Sequence, residues 1–182
     1  MYSIGRNLGH NQIKNEVTIM AQFELGSISH GTLRTEDLLT SFADTLDSFD
    51  CKAFYSKVGK DSFELYYPSE LILSAYRCRN YYQEQELGSN PTIEEDAEYL
   101  VNEQLPDALQ EYCPPFVYFG TLEGDGSDFG FWPEMDGIQE IVNIAECDAS
   151  QGISCPDDGV IIQVSDHGNV TLMDMERNVI WS

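Results

Sequence analysis

The stretch from Pro115 to Trp132, PFVYFGTLEGDGSDFGFW, constrains this chain more than any other. Phe116, Tyr118, Phe119, Phe129, Phe131 and Trp132 flank a turn that carries Glu123, Asp125 and Asp128 among Gly124, Gly126 and Gly130. Aromatic side chains favour the pleated, half-buried surface of a strand, and glycines supply the positive φ of a tight turn. The spacing therefore predicts a β-hairpin with an acidic, Gly-rich tip.

The hairpin lies in a region without positive side chains. Residues 80–176, between Arg79 and Arg177, contain no Lys or Arg and 22 Asp or Glu. Of the formal net charge of −23, residues 1–79 carry −2 (8 basic, 10 acidic) and residues 80–182 carry −21 (1 basic, 22 acidic). Solubility of a small domain needs a net charge of only about 2 to 8. The excess repels itself and disfavours the compact state, so it invites a reason. Nucleic acid and anionic membranes are themselves polyanions, so direct binding to either is not expected. A basic partner, a cation or a high-salt habitat remains.

The charge belongs to a folded surface. Disordered acidic segments are poor in aromatic and β-branched residues, whereas here Tyr, Phe, Ile and Val are interleaved with the carboxylates, and 42% of the 182 residues are hydrophobic. Cys51, Cys78, Cys113, Cys147 and Cys155 are odd in number and form no CxxC pair, which reads as reduced thiols in a cytosolic protein. No run of about 18 apolar residues marks a membrane span, and residues 1–20 lack the apolar core of a signal peptide.

Along the chain, residues 1–16 read as a polar N-terminal arm and residues 17–182 as a single α+β domain. Val17 to Ser29 has a strand-like pattern, with Phe23, Leu25 and Ile28 facing inward. Thr35 is expected to cap a helix with Glu36 and Asp37 in its first turn, where they complement the dipole. Leu38, Leu39, Phe42, Ala43, Leu46 and Phe49 give that helix one apolar face. Lys52–Val58 and Ser62–Tyr67 read as a strand pair around Gly59-Lys60-Asp61. Pro68 and Ser69 open a second helix.

Thr92 is placed to cap a third helix, whose Ala97, Leu100, Val101, Leu105, Ala108, Leu109 and Tyr112 form an apolar stripe, with Pro106 kinking or splitting it. Ile138–Ile144 fits helix or strand, and Val160–Val164, Val170–Met173 and Val179–Trp181 read as strands. The composite is an α+β fold, a mostly antiparallel sheet with two or three helices packed on one side.

Three blocks, SHGTLRTEDLL (29–39), YFGTLEGDGSDFGFW (118–132) and VSDHGNVTLM (164–173), resemble those of a family of small acidic bacteriophage and prophage proteins. The resemblance implies a phage origin and an accessory, host-directed role; it supplies no catalytic residues.

Three chemistries compete for the polar residues. In the first, the acidic surface is a decoy for nucleic acid. Glu103, Asp107 and Glu111 recur four apart, which on a helix puts them on one stripe about 6 Å apart, close to the phosphate spacing along a strand. Glu94, Glu95, Asp96 and Glu98 extend that stripe, and Glu123, Asp125 and Asp128 form a second cluster. The competing reading is a plain solvated helix face.

In the second, Glu123, Asp125, Ser127 and Glu134 echo a calcium loop, but Asp128 stands where such a loop needs Gly, and Phe129, Phe131 and Trp132 read as strand where a helix is needed. An acidic hairpin turn accounts for the same residues. In the third, His30 or Asp166-His167 would serve a nucleophile such as Ser29, Thr32, Cys51 or Cys78. No nucleophile elbow, phosphate-binding loop, HExxH or paired-glycine nucleotide motif supports it, and Asp166-His167-Gly168-Asn169 is turn chemistry.

The expectation is therefore a cytoplasmic protein of the host bacterial cell, without catalytic residues, metal site or cofactor. It would bind a basic host nuclease or another nucleic-acid-binding defence protein, in the manner of an anti-CRISPR or anti-restriction DNA mimic. A metal-binding module or metal-dependent enzyme, and a structural or morphogenetic phage protein, are the alternatives.

Overall fold

The computed structural model describes residues 24–59, 64–84, 90–145 and 148–182. The expected arm over 1–16, the inward Phe23 and the Gly59-Lys60-Asp61 turn beyond Gly59 lie outside them. The chain is α+β, and its described residues group into two compact units, 24–145 and 148–182. The sequence shows no linker at that division, within the stretch 17–182 expected as one domain.

The larger unit is built on the predicted hairpin. Strands β1 (Gly26–Ser29), β2 (Val117–Leu122) and β3 (Asp125–Pro133) form an antiparallel sheet in the order β1-β3-β2. Phe119 pairs with Phe131 and Thr121 with Phe129, so Phe119, Phe129 and Phe131 share one face. That face meets helix α1 (Thr35–Val58): the fully buried Phe42 ring stands edge-on to Phe119 at 5.1 Å and to Phe129 at 5.3 Å. Gly130 sits where β1 crosses β3. A Cβ there would lie 2.2 Å from the Gly26 carbonyl oxygen, so only glycine admits the edge strand at this distance.

Helix α1 corrects one expectation. Lys52–Val58 is no strand but the last turns of this 24-residue helix, which ends at Gly59 with φ 87°. Aromatic and β-branched residues there mimic a strand. No breaker separates them from the helix already running, however, and each added residue gains a hydrogen bond without a new nucleation cost. Residues 64–67 form no strand either; Tyr66 instead donates its hydroxyl to Asp47 on α1 at 2.7 Å.

Helix starts also shift by a residue or two. Arg34, not Thr35, holds the N-cap position of α1, and Thr32 donates its hydroxyl to Asp37 at 2.8 Å in place of a cap bond. Ser69 does cap α2 (Glu70–Gln83), accepting from the Ile72 N–H. Asn90 holds the cap position of α3 (Pro91–Tyr99), with Pro91 as the first helical residue, where its missing N–H costs nothing, so Thr92 is not the cap.

Beyond α3 the backbone widens into a π turn, Leu100–Gln104, before α4 (Leu105–Gln110). Leu105 donates its N–H to Leu100, five residues back. The wider turn answers the break that Pro106 was expected to cause, since proline offers no N–H and crowds the carbonyl four residues earlier. Ala97, Leu100, Val101, Leu105 and Leu109 are buried, as the stripe predicts. Met135–Ile144, ambiguous in sequence, is helix α5.

The smaller unit is a four-stranded antiparallel meander, β4 (Ile153–Cys155), β5 (Val160–Val164), β6 (Val170–Asp174) and β7 (Val179–Trp181). Ile153 pairs with Ile162, Ile162 with Leu172 and Leu172 with Trp181, so one buried row crosses the whole sheet. The turn after β5 has Gly168 at φ 83° and a 2.8 Å bond from the Ser165 N–H to the Asn169 carbonyl, as its composition predicts. Asp174, buried at the end of β6, accepts from the Glu176 and Asn178 N–H groups and from the Asn178 amide, which orders the last turn.

Candidate functional site

The acidic run of the larger unit follows from one helical face. Burying Ala97, Leu100, Val101, Leu105 and Leu109 turns the residues between them outward, and Glu95, Asp96, Glu98, Glu103, Asp107 and Glu111 are all exposed. None of these six makes a side-chain hydrogen bond or ion pair among the described residues. Glu94 differs: it is half-buried and accepts from the Tyr81 hydroxyl. The even four-residue spacing of Glu103, Asp107 and Glu111 does not survive as a regular α-helical stripe. Glu103 belongs to the π turn, Asp107 to α4, and Glu111 lies just past its end.

The second cluster separates into three different environments. Glu123 is exposed at the hairpin tip beside Gly124, whose φ is 86°. Asp125 accepts from both the N–H and the hydroxyl of Ser127, at 3.0 and 2.8 Å, and these bonds hold its carboxyl below the usual range. Asp128 is only 7% exposed and so is no part of an acidic surface. Strand alternation explains it: Phe129 faces α1, so Asp128 points to the opposite face, where His30 Nδ1 lies 3.3 Å from its Oδ2. Its Oδ1 has no hydrogen-bond partner.

His167 sits in the exposed turn after β5 and His30 just past the end of β1, in different units. Cys51, Cys78, Cys113 and Cys155 are free thiols, and burial raises Cys78, one of the two candidate cysteine nucleophiles, away from the thiolate such a role needs. Glu123 and Asp125 occupy a hairpin and Glu134 precedes α5, so the calcium-loop echo has no loop around it. Among the described residues, no three His, Cys, Asp or Glu converge to hold a metal ion. Among the same residues, no helix is long and apolar enough to cross a membrane.

Two features escaped the sequence reading. On α1, Asp47 accepts hydroxyls from Tyr66 at 2.7 Å and Tyr76 at 3.0 Å, Asp50 accepts from Tyr112, and Asp44 pairs with Arg79 at 3.4 Å. Burial first, and then the bond to a carboxylate, raise all three tyrosines above the ordinary phenol range. Asp44, Asp47 and Asp50 recur three apart along the helix, but that spacing does not pair them with tyrosines 19 to 62 residues away. The other is a cleft of about 440 Å³ between α2 and the α3–π turn segment, with Arg77 and Cys78 on one side and Asp96, Tyr99 and Leu100 on the other.

No protein-family model, curated protein or solved structure matches this chain.

Proposed function

We propose that this chain is a phage-encoded, non-enzymatic inhibitor that binds a basic, nucleic-acid-handling defence protein in the cytoplasm of the host bacterium and blocks its nucleic-acid channel, as an anti-CRISPR or anti-restriction protein would. The phage origin rests on the resemblance of three sequence blocks. The mechanism rests on one observation: Glu95, Asp96, Glu98, Glu103, Asp107 and Glu111 are exposed along a single buried-faced helical run, without an ion pair among the described residues. Such a row attracts a positive channel at long range, raises the encounter rate, and occupies the space of the phosphates it stands in for.

The reading keeps Glu123 and Asp125 as a flanking acidic tip and drops Asp128, whose burial removes it from any contact surface. The test is a DNA-cleavage assay with a panel of restriction and CRISPR nucleases, run with the wild-type chain and with Glu95, Glu98, Glu103 and Asp107 all changed to Lys. Inhibition of at least one nuclease should weaken steeply between about 0.1 M and 1 M salt, where the screening length falls from about 10 Å to about 3 Å. The variant should lose tenfold or more of its potency with an unchanged circular dichroism spectrum. Inhibition indifferent to both salt and charge reversal would remove the mimicry.

A further inference from the structure

We propose that the cleft between α2 and the α3–π turn segment is the recognition pocket for an arginine side chain of the basic partner, with Asp96 as its anionic rim and Tyr99 as its stacking wall. The proposal rests on the binding role argued above and names the contact that would make an electrostatic decoy selective.

The cleft's volume of about 440 Å³ is within the range of built ligand sites, about 300 to 1,000 Å³, and well above the gaps between packed helices. Its inner surface is apolar, from the buried Cys78 and Leu100 and the half-buried Ile93, which suits the methylene stem of a long cationic side chain. Its rim carries Asp96, which has no ion pair among the described residues, and Tyr99, a large aromatic left 58% exposed. A guanidinium can stack on a tyrosine face while its edge N–H groups donate to a carboxylate, which a compact ammonium does less well.

Leu100 and Gln104 both line the cleft and both belong to the π turn. The field of Asp96 reaches the inner surface, for after burial it is the next cause raising the Cys78 thiol.

Arg77 opposes a cationic guest. Its guanidinium also lines the cleft, but it is turned along its own helix, donating to Ser74 Oγ at 2.9 Å and to Glu70 Oε2 at 3.4 Å. That tether gives the proposal a sign. If the guest is a cation, removing Arg77 strengthens binding; if the cleft takes a carboxylate, removing Arg77 weakens it.

The experiment titrates the full-length protein with Nα-acetyl-arginine amide, and in parallel with the lysine and norleucine analogues, while methyl and aromatic NMR signals are followed. Expected are saturable shifts at Ile93, Tyr99 and Leu100, several-fold tighter binding of the arginine probe than of the lysine probe, and no saturation with norleucine. Asp96→Asn and Tyr99→Ala, both at exposed positions, should each weaken the arginine probe about fivefold or more, and Arg77→Ala should tighten it.

Absence of shifts at those three residues, or weaker binding by Arg77→Ala, would overturn the assignment. A second arm separates it from the decoy reading. Charge reversal at Glu111 and Glu123, outside the cleft, should impair nuclease inhibition and leave probe binding unchanged. If inhibition responds to Glu111 and Glu123 while the probe never binds, the cleft falls and the decoy stands. If the probe binds and no nuclease is inhibited, the decoy falls and the cleft stands.

Discussion

Along α1, Asp44, Asp47 and Asp50 are each held by a partner: an arginine for the first, two tyrosine hydroxyls for the second and one for the third. Along residues 95–111, Glu95, Asp96, Glu98, Glu103, Asp107 and Glu111 stand exposed without a hydrogen bond or ion pair among the described residues. Both runs are acidic faces of helices that bury leucines on the other side. The difference is in their neighbours. The segments that reach α1 bring Tyr66, Tyr76, Tyr112 and Arg79, whereas residues 80–176 contain no cation to bring. An acidic residue count therefore overstates the surface available to a partner, because carboxylates near donors become part of the fold.

The strongest way to break this contrast is to remove a carboxylate that the fold uses. Asp47→Ala deletes the acceptor of two phenols at once. Hydrogen bonds to a charged group are worth about 1.5 to 3 kcal/mol each, and at this half-buried site the pair should cost about 3 kcal/mol in urea denaturation. Asp50→Ala, with the Tyr112 bond alone, should cost about 2 kcal/mol. A cost near zero for both would put α1 in the same class as the 95–111 run.

Alkaline pH sharpens the same point. Tyr66, Tyr76 and Tyr112 keep their protons more tightly in the fold than in the unfolded chain. Their contribution is complete below the ordinary phenol value of about 10 and is lost as pH rises above it, since the unfolded chain then sheds protons the fold retains. Denaturation at pH 9 and pH 11 should show stability falling with pH. The fall should be smaller in Asp47→Asn, where the carboxylate's share of the shift is gone. Absorbance at 295 nm reports the same phenols directly.

How much of this was legible beforehand differs from element to element for physical reasons. The hairpin was readable because six aromatics and a glycine tip leave a strand pair as the one arrangement with a buried face, and β5 and β6 because Gly168 and Asn169 mark a turn between β-branched runs, whereas the three-residue β4, in a stretch rich in Gly, Asp and Ser, was not. Lys52–Val58 misled because seven residues of mixed propensity take the state of whatever precedes them, and here a helix did. The exposed run was legible from the spacing of Leu100, Leu105 and Leu109, since a buried stripe fixes what faces out. The π turn was not, because Pro106 announces a break without saying how the backbone absorbs it. Nor was the fate of Asp128: its place among acidic turn residues suggested a surface, whereas the phase of the strand, set by Phe129 against Phe42, turned it inward beside His30.

The smallest expected effect is also the one that decides whether the exposed run is free for a partner. Glu94 and Glu98, and Asp107 and Glu111, are like charges four residues apart, an arrangement that costs a helix about 0.2 to 0.5 kcal/mol per pair. Combining Glu98→Gln with Asp107→Asn relieves both repulsions and removes no bond. Stability in low salt should therefore rise, by about 0.4 to 1 kcal/mol, and the gain should vanish near 1 M salt, where about 3 Å of screening already hides the repulsion. A loss of more than about 1 kcal/mol would mean that these carboxylates, like Asp47, are engaged by the fold. A side chain already engaged in that way has to be released before it can meet a cation from outside, and the helical run would then lose the standing charge that the proposed binding role requires.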